Sequence, residues 1–466
     1  MPDATSHREP ADLDRIVKAY DVRGVYPDEL DESVAHDVGA AFVALVRGDA
    51  AGPVTVVVGH DMRPSSGPLV DAFSEGATSQ GADVVQVGLV STDALYFASG
   101  RLAAPGAMFT ASHNPAQYNG IKLCRVGAAP VGLETGLDEI KRMLRDGVPP
   151  YDGPAGTVST RDVLPEYADF LRSLVDLSGI RPLRVVVDAG NGMGGHTAPV
   201  VLEGLPLTVE PLYFELDGTF PNHEANPIDP KNLHDLQEAV LADAADIGLA
   251  FDGDADRCFV VDERGEIVTP STLTALIAVR ELARDPGGTV IHNLITSRAV
   301  AEVVRENGGT PVRTRVGHSF IKQVMAETGA VFGGEHSGHF YFRDFWRADS
   351  GMLAALHVLA ALGSTPPGTT LSSLLAPYDR YAVSGEINST VRDPAGRMAA
   401  VEAAFAGEDG MTTDHLDGLT VDAADWWFNL RASNTEPLLR LNVEAVDSAT
   451  VSAVRDRVLA IVREEA

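Results

Sequence analysis

Three times along this chain, at spacings of more than a hundred residues, a short β-branched run gives way to a polar or glycine-rich loop. A helix-like stretch and a second apolar run follow each time. Val54–Val58 leads through Gly59–Ser66 to a helix expected over Pro68–Gln80 and a strand over Asp83–Val87. Leu183–Val187 leads through a glycine-rich loop to a helix expected from Thr197 and a strand over Thr208–Leu212. Thr289–Leu294 leads through Thr296-Ser297 to a helix over Arg298–Asn307 and a strand over Thr310–Thr314. Strand, crossover helix and returning strand build buried, mostly parallel sheets, so the pattern predicts three related mixed-sheet α/β domains. The remainder differs. Strands are expected over Tyr381–Val391, Leu419–Val421, Trp427–Leu430 and Leu438–Glu444, and helices over Gly396–Phe405 and Thr450–Glu465, a smaller α+β domain. Glycine and proline clusters at Val148–Pro154 and Gly363–Gly368 mark joints, and a further joint near residue 260 has no marker. The expected domains are therefore residues 1–153, 154–260, 261–372 and 373–466.

At 466 residues the chain is too long for one core. With 36 basic against 66 acidic side chains, its formal charge of −30 argues against nucleic-acid and anionic-membrane partners. The same charge requires any anionic substrate to meet cations gathered in a cleft. There is no apolar run of membrane-spanning length, and Met1–Asp14 is polar and acidic, without an apolar signal core. Cys124 and Cys258 fit no metal or redox spacing and are expected as free thiols in a cytoplasmic protein.

The densest chemistry is Asp252-Gly-Asp254-Ala-Asp256-Arg257, between the apolar runs Ile247–Phe251 and Cys258–Val261. Three carboxylates at alternate positions can converge on one hard cation, and would repel one another without it. An EF-hand is excluded, because its sixth position would be Arg257 instead of glycine and the flanks are strands. Mg2+ is the expected ion. Thr110-Ala-Ser112-His113-Asn-Pro115 ends another apolar run. Taken alone, Ser112 is a nucleophile, a group carrier or a plain turn serine, and the turn is the commonest of these. Lys18–Gly24, with Tyr20 and Arg23, Gly59–Arg63, and Tyr118–Lys122 bring basic groups to what read as loops beside strands of the first domain. Arg431-Ala-Ser433-Asn434-Thr435-Glu-Pro437 offers a forked guanidinium and side-chain donors to phosphate, or else a polar hairpin turn. Gly333–His339 offers the hydroxyl-binding groups Glu335 and Ser337 flanked by glycines, and Arg315–Lys322 adds the imidazole of His318 and an amine.

Gly190-Asn-Gly192-Met-Gly-Gly195 matches the dinucleotide fingerprint G-x-G-x-x-G, with Glu210 and Glu215 as candidates for the ribose. An NAD-dependent dehydrogenase is therefore an alternative, although it leaves Asp252–Asp256, the Ser112 loop and the Arg431 loop without a task. A phosphatase using an aspartate of the Asp252 loop as nucleophile and a non-catalytic sugar-phosphate sensor are further alternatives.

Together, the serine loop Thr110–Pro115, the loop Asp252–Arg257, the loop Gly334–His339 and the loop Arg431–Pro437 resemble the α-D-phosphohexomutase family. The resemblance runs from Lys18 to about Glu444 and keeps the family's order. It implies four domains around a central cleft and a serine, here Ser112, that is phosphorylated in the resting enzyme. It assigns Asp252, Asp254 and Asp256 to Mg2+, which also touches the serine phosphate. It matches Glu335 and Ser337 to sugar hydroxyls, and Arg431, Ser433, Asn434 and Thr435 to the phosphate that is not transferred. Arg23, Lys122 and His339 match basic residues near the reacting oxygens, and Arg257 and His318 match residues near the metal and the sugar. Lys122 and His339 are the candidate proton acceptors, and His113 is a phosphate or hydroxyl contact. The segments Lys18–Gly24, Gly317-His-Ser319 and Arg431–Asn434 are similar to the phosphomannomutase/phosphoglucomutase branch. The implied activity is reversible interconversion of mannose 6-phosphate and mannose 1-phosphate through a hexose 1,6-bisphosphate, with glucose phosphates as further substrates. Phosphoglucomutase and phosphoglucosamine mutase are the alternatives within the family. His336 stands where methionine is familiar in dual-specificity members, which leaves mannose against glucose open. A monomer or homodimer is expected, with the last domain closing on a hinge near 363–380.

Overall fold

The computed structural model describes residues 9–48, 53–432 and 438–464, with His318 and Ser319 described in their backbone only. The chain forms two compact units. The first runs through Thr269 and takes in Ser337–Leu374, and the second combines Pro270–His336 with the chain from Leu375 onward.

The first unit holds two sheets, both mixed. In one, the strands follow the order Val22–Val25, Tyr118–Arg125, Gly106–Phe109, Thr55–His60, Asp83–Leu89 and Val158–Thr160. The last four pair in parallel, and Tyr118–Arg125 runs antiparallel to both its neighbours. Arg23 and Lys122 therefore stand on strands, where the sequence had suggested loops. Helix Glu32–Arg47 starts where the Asp31 side chain accepts from Val34 N. The helix expected from Pro68 begins at Ser66. First-turn N–H groups have no intrahelical acceptor, so proline is tolerated there.

In the other sheet, Leu207–Leu212, Leu183–Asp188 and Ile247–Phe251 are parallel, and Cys258–Asp262 and Ile267–Val268 continue antiparallel. Phe251 pairs with Cys258, so Asp252–Arg257 is the loop of a hairpin between two wholly buried strands. The helix expected from Thr197 spans Gly194–Leu202, its first turn supplied by the glycine-rich loop. Strands Phe340–Phe342 and Ala348–Asp349 pair antiparallel ahead of helix Gly351–Gly363, which is buried on every face and capped by Ser350. Cys124 and Cys258 are buried free thiols.

In the second unit, Thr289–Asn293 pairs in parallel with Thr310–Thr314 and Phe332–Gly334. A five-stranded antiparallel sheet follows the order Ala382–Thr390, Leu438–Ala445, Trp426–Ala432, Leu419–Asp422 and Thr412–Asp414. Helices Pro394–Phe405 and Ser448–Val462 cover one core with it, as the α+β reading expects. Among the described residues, no helix is long and apolar enough to cross a membrane.

Candidate active site

Strand Gly106–Phe109 is buried throughout and delivers Ser112 beyond its C-terminal end. Ser112 takes φ +49°, a left-handed conformation that costs a residue bearing a Cβ. Two devices hold it there. Its N–H donates to Thr110 Oγ1 at 2.8 Å. The Arg63 guanidinium donates to four carbonyl oxygens of the same loop: Ser112 at 2.9 Å, Asn114 at 2.6 Å, Pro115 at 2.9 Å and Tyr118 at 2.9 Å. Arg63 Nε reaches Asp61 Oδ2 at 3.2 Å, and Asp61 Oδ1 accepts from Arg63 N and Ser66 Oγ. Burial pushes the Asp61 carboxyl above its ordinary range, against the pull of Arg63.

Asp252, Asp254 and Asp256 are at most 1% exposed. One carboxylate oxygen from each lies within 4.8 Å of the others. Asp254 Oδ1 is buried without a hydrogen-bond partner among the described residues. An orphaned acceptor and crowded carboxylates are both costly, and a hard divalent cation with oxygen ligands relieves both, so the donor set fits Mg2+. Burial, reinforced by Asp256 and Asp254 and opposed by Arg257 and Lys122, pushes the Asp252 carboxyl up to about 7. Ser112 Oγ donates to Asp252 Oδ2 at 2.8 Å, which brings the two sequence motifs together across 140 residues. Thr92 buttresses the loop from behind: its Oγ1 donates to Asp254 Oδ2 at 2.6 Å and its N to Asp254 O at 3.0 Å.

The cations close around these carboxylates. Lys122 Nζ lies 2.7 Å from both Asp254 Oδ2 and Asp256 Oδ2. Although burial works against its charge, those carboxylates hold the ammonium well above its usual range. His339 Nε2 is 3.5 Å from Asp256 Oδ1, and Asp256 raises the imidazole against the effect of burial. Ser337 Oγ is 2.9 Å from His339 Nδ1. Arg257 Nε donates to Asp252 Oδ2 at 2.9 Å. Arg23 Nη1 donates to Asn114 Oδ1 at 2.7 Å and also pairs with Asp21. His113 Nδ1 stands 3.1 Å from Ser112 Oγ. Burial, with Arg257 and Arg23 nearby, drives His113 well below its usual range and leaves a neutral imidazole. Lys122 is thus held as an ammonium, Asp256 favours the charged form of His339, and burial favours the neutral imidazole of His113.

Tyr20 is half-buried just ahead of strand Val22–Val25. In the second unit Glu335 follows strand Phe332–Gly334, and its Oε1 accepts from Asn293 Nδ2 at 3.2 Å and Gly317 N at 3.3 Å. His318 opens helix His318–Thr328. Arg431, near the end of strand Trp426–Ala432, reaches Glu386 Oε2 at 3.2 Å, and its buried Nε has no hydrogen-bond partner among the described residues. Ser433, Asn434 and Thr435 lie outside the described residues.

The fingerprint Gly190–Gly195 opens a helix, as expected, but the Asp252–Arg257 loop occupies the space over it. A Cβ on Gly192 would stand 2.7 Å from Gly253 O, where a pyrophosphate would have to approach. Sequence reasoning quoted Gly59–Arg63 without giving Arg63 or Asp61 a role, and it missed Thr92. An arginine beside an aspartate in a loop after a buried strand was the available signal.

Phosphoglucomutase/phosphomannomutase domain models match four stretches. These are alpha/beta/alpha domain I at residues 14–147, domain II at 165–265, domain III at 269–381 and the C-terminal domain at 386–461. A phosphomannomutase of Salmonella typhimurium is 40% identical over 455 residues, 95% of this chain and 97% of that protein. A phosphomannomutase/phosphoglucomutase of Pseudomonas aeruginosa is 39% identical over 440 residues, 92% of this chain and 91% of that protein. The crystal structure of a phosphoglucomutase/phosphomannomutase family protein from Burkholderia thailandensis superposes with a TM-score of 0.88 at 35% identity, covering 97% of this chain and 98% of that one.

Proposed function

We propose that this chain, which belongs to the phosphoglucomutase/phosphomannomutase family and is therefore an intramolecular phosphotransferase of the isomerase class, interconverts mannose 6-phosphate and mannose 1-phosphate. Glucose phosphates are further substrates. The observation that carries the reading is the Ser112 hydroxyl, 2.8 Å from Asp252 in a buried cluster of three aspartates.

In this reading Ser112 carries the phosphoryl group at rest. The hydroxyl at C1 of bound mannose 6-phosphate attacks that phosphorus. The bond to Ser112 Oγ breaks, a bond to the sugar oxygen forms, and the proton leaving the sugar hydroxyl ends on Ser112 Oγ. The product is a hexose 1,6-bisphosphate, which turns around and returns its other phosphoryl group to Ser112. Asp252, Asp254 and Asp256 would hold Mg2+, which when bound would supply positive charge to the phosphoryl oxygens. Phosphoryl transfer asks chiefly for alignment and charge neutralisation, which suits the rigid Ser112 loop and the cations Arg23, Lys122, Arg257 and His339. His113 is the neutral imidazole next to Ser112 Oγ and is suited to pass the proton. A site that accepts both orientations has to hold what the turn leaves unchanged. Glu335 and Ser337 would hold the middle hydroxyls, with Tyr20 and His318 along the sugar. Arg431, Ser433, Asn434 and Thr435 would hold the distal phosphate. The enzyme works in the cytoplasm as a monomer or homodimer.

Intact-mass measurement of the purified protein tests the carrier. One phosphoryl group is expected on a fraction of wild-type molecules and none in Ser112→Ala. An Ala variant with full mutase activity in the presence of added bisphosphate would sink the assignment. A coupled assay with mannose, glucose and glucosamine 1-phosphates decides the sugar.

A further inference from the structure

The glycine turn Gly190–Gly195 has no contact to make with a hexose phosphate in this reading, yet three layers of backbone meet there. Gly192 lies against the metal loop: a Cβ on it would fall 2.7 Å from Gly253 O and 2.9 Å from Gly253 Cα, both rigid backbone atoms. Met193 N donates to that same Gly253 O at 2.9 Å. On its other side Gly253 lies against the serine loop, where a Cβ would fall 2.4 Å from Ser112 O. That carbonyl is the one Arg63 Nη2 grips at 2.9 Å. The turn is itself tied down. Asn191, at φ +60°, donates through Nδ2 to Glu215 O at 2.9 Å, and its Oδ1 accepts from Asn222 Nδ2 at 2.8 Å. The segment that follows returns to the clamp, with the Phe220 ring 5.1 Å from the Arg63 guanidinium.

We propose that Gly192 and its turn are a positioning element of the mutase, setting the depth of the Asp252–Asp256 loop against the Ser112 loop. The proposal rests on the reading of Ser112 as carrier and the three aspartates as metal ligands. Gly253 carries no side chain to absorb a displacement, so pushing it by a few tenths of an ångström moves the flanking Asp252 and Asp254 or the Ser112 carbonyl. Misplacing reacting groups by such amounts slows transfer more than it weakens substrate binding.

The test compares Gly192→Ala with Gly195→Ala. A Cβ on Gly195 would meet Phe214 O at 2.3 Å, a backbone clash in the same turn that faces away from the metal loop. Both variants are expected to melt earlier than wild type. Only Gly192→Ala is expected to weaken Mn2+ binding to the dephosphorylated protein, by about tenfold in titration calorimetry, and to lower kcat by a similar factor with KM nearly unchanged. Asn222→Ala removes one tie of the turn at an exposed residue without adding atoms, and decides the matter if Gly192→Ala does not fold. Its expected shift is smaller and in the same direction. Wild-type Mn2+ affinity and kcat in Gly192→Ala, or in Asn222→Ala where that variant has to decide, would overturn the proposal. An equal loss in Gly195→Ala would overturn it too. Asp254→Asn and Ser112→Ala run alongside; if Asp254→Asn binds Mn2+ normally or Ser112→Ala still becomes phosphorylated, the underlying reading fails and takes the proposal with it.

Discussion

Replacing Arg63 with lysine keeps the charge and removes the fork. The guanidinium donates five hydrogen bonds: four to carbonyl oxygens of residues 112–118 and one to Asp61. An ammonium has three donors on a single nitrogen and cannot reach carbonyls on both sides of the loop, so at least two acceptors lose their partner. A buried acceptor left unpaired costs about 1–3 kcal/mol. The Ser112 carbonyl is buried and bears the full cost, whereas the Pro115 end can turn to water. A penalty of roughly 2–4 kcal/mol on the loop follows. Ser112, held at φ +49°, then has reason to relax toward an unstrained conformation, carrying Oγ away from Asp252. If half of that penalty has to be restored to reach the transition state, kcat falls roughly 5- to 30-fold, with KM for mannose 1-phosphate within about twofold. Steady-state kinetics of Arg63→Lys, alongside the melting temperature and the phosphorylated fraction from intact mass, measure it. A variant with wild-type kcat and an unchanged melting temperature would refute the argument that the clamp holds the serine loop.

Arg431→Ala is expected to raise KM for hexose monophosphates about tenfold or more, with a smaller effect on kcat, because an arginine on a phosphate makes charge-assisted bonds in ground and transition states alike; unchanged kinetic constants would remove it from the phosphate site. Asp93 takes hydrogen bonds from Ser91 Oγ, Ser350 Oγ and Tyr167 OH behind Thr92, and burial lifts its carboxyl from the ordinary 3.8 to about 6. The folded state thus binds this proton more tightly than the unfolded chain, so stability from this group is fully present below pH 3.8 and lost as pH rises through 6, a change of roughly 3 kcal/mol. Asp93→Asn is expected to melt higher than wild type at pH 8 and to show a flatter melting profile between pH 5 and pH 8; parallel profiles for the two proteins would show that Asp93 is not the titrating group.

How much of this site could be read in the sequence depended on how locally each part is encoded. Asp252–Arg257 is legible because one hairpin loop carries all three acids and their arginine, and apolar strands announce it on both sides. The four-domain outline was legible for the same reason, since β-branched runs and the helices after them are local patterns. Tyr118–Lys122 was not: it reads as a loop beside a strand, but Gly120 lies in a strand, where a Cβ would come within 2.8 Å of both Thr110 O and Val22 O. Close strand packing, and not a bend, requires glycine there, and only the assembled sheet reveals it. The Arg63 clamp was hidden because its acceptors lie about fifty residues further on and are backbone atoms, which leave no trace in residue type. Charge is the deepest case. A chain of formal charge −30 was expected to gather cations for an anionic substrate, and it does gather them. Yet Arg23 is paired with Asp21, Arg257 with Asp252, and Lys122 with Asp254 and Asp256, while His339 leans on Asp256. Each cation is already answered by a carboxylate of the protein, so basic side chains alone leave the site near neutrality. A divalent cation on the three aspartates would tip that balance toward attracting a phosphate. The acids that the global charge made look like an obstacle are thus the means by which this site would hold its substrate.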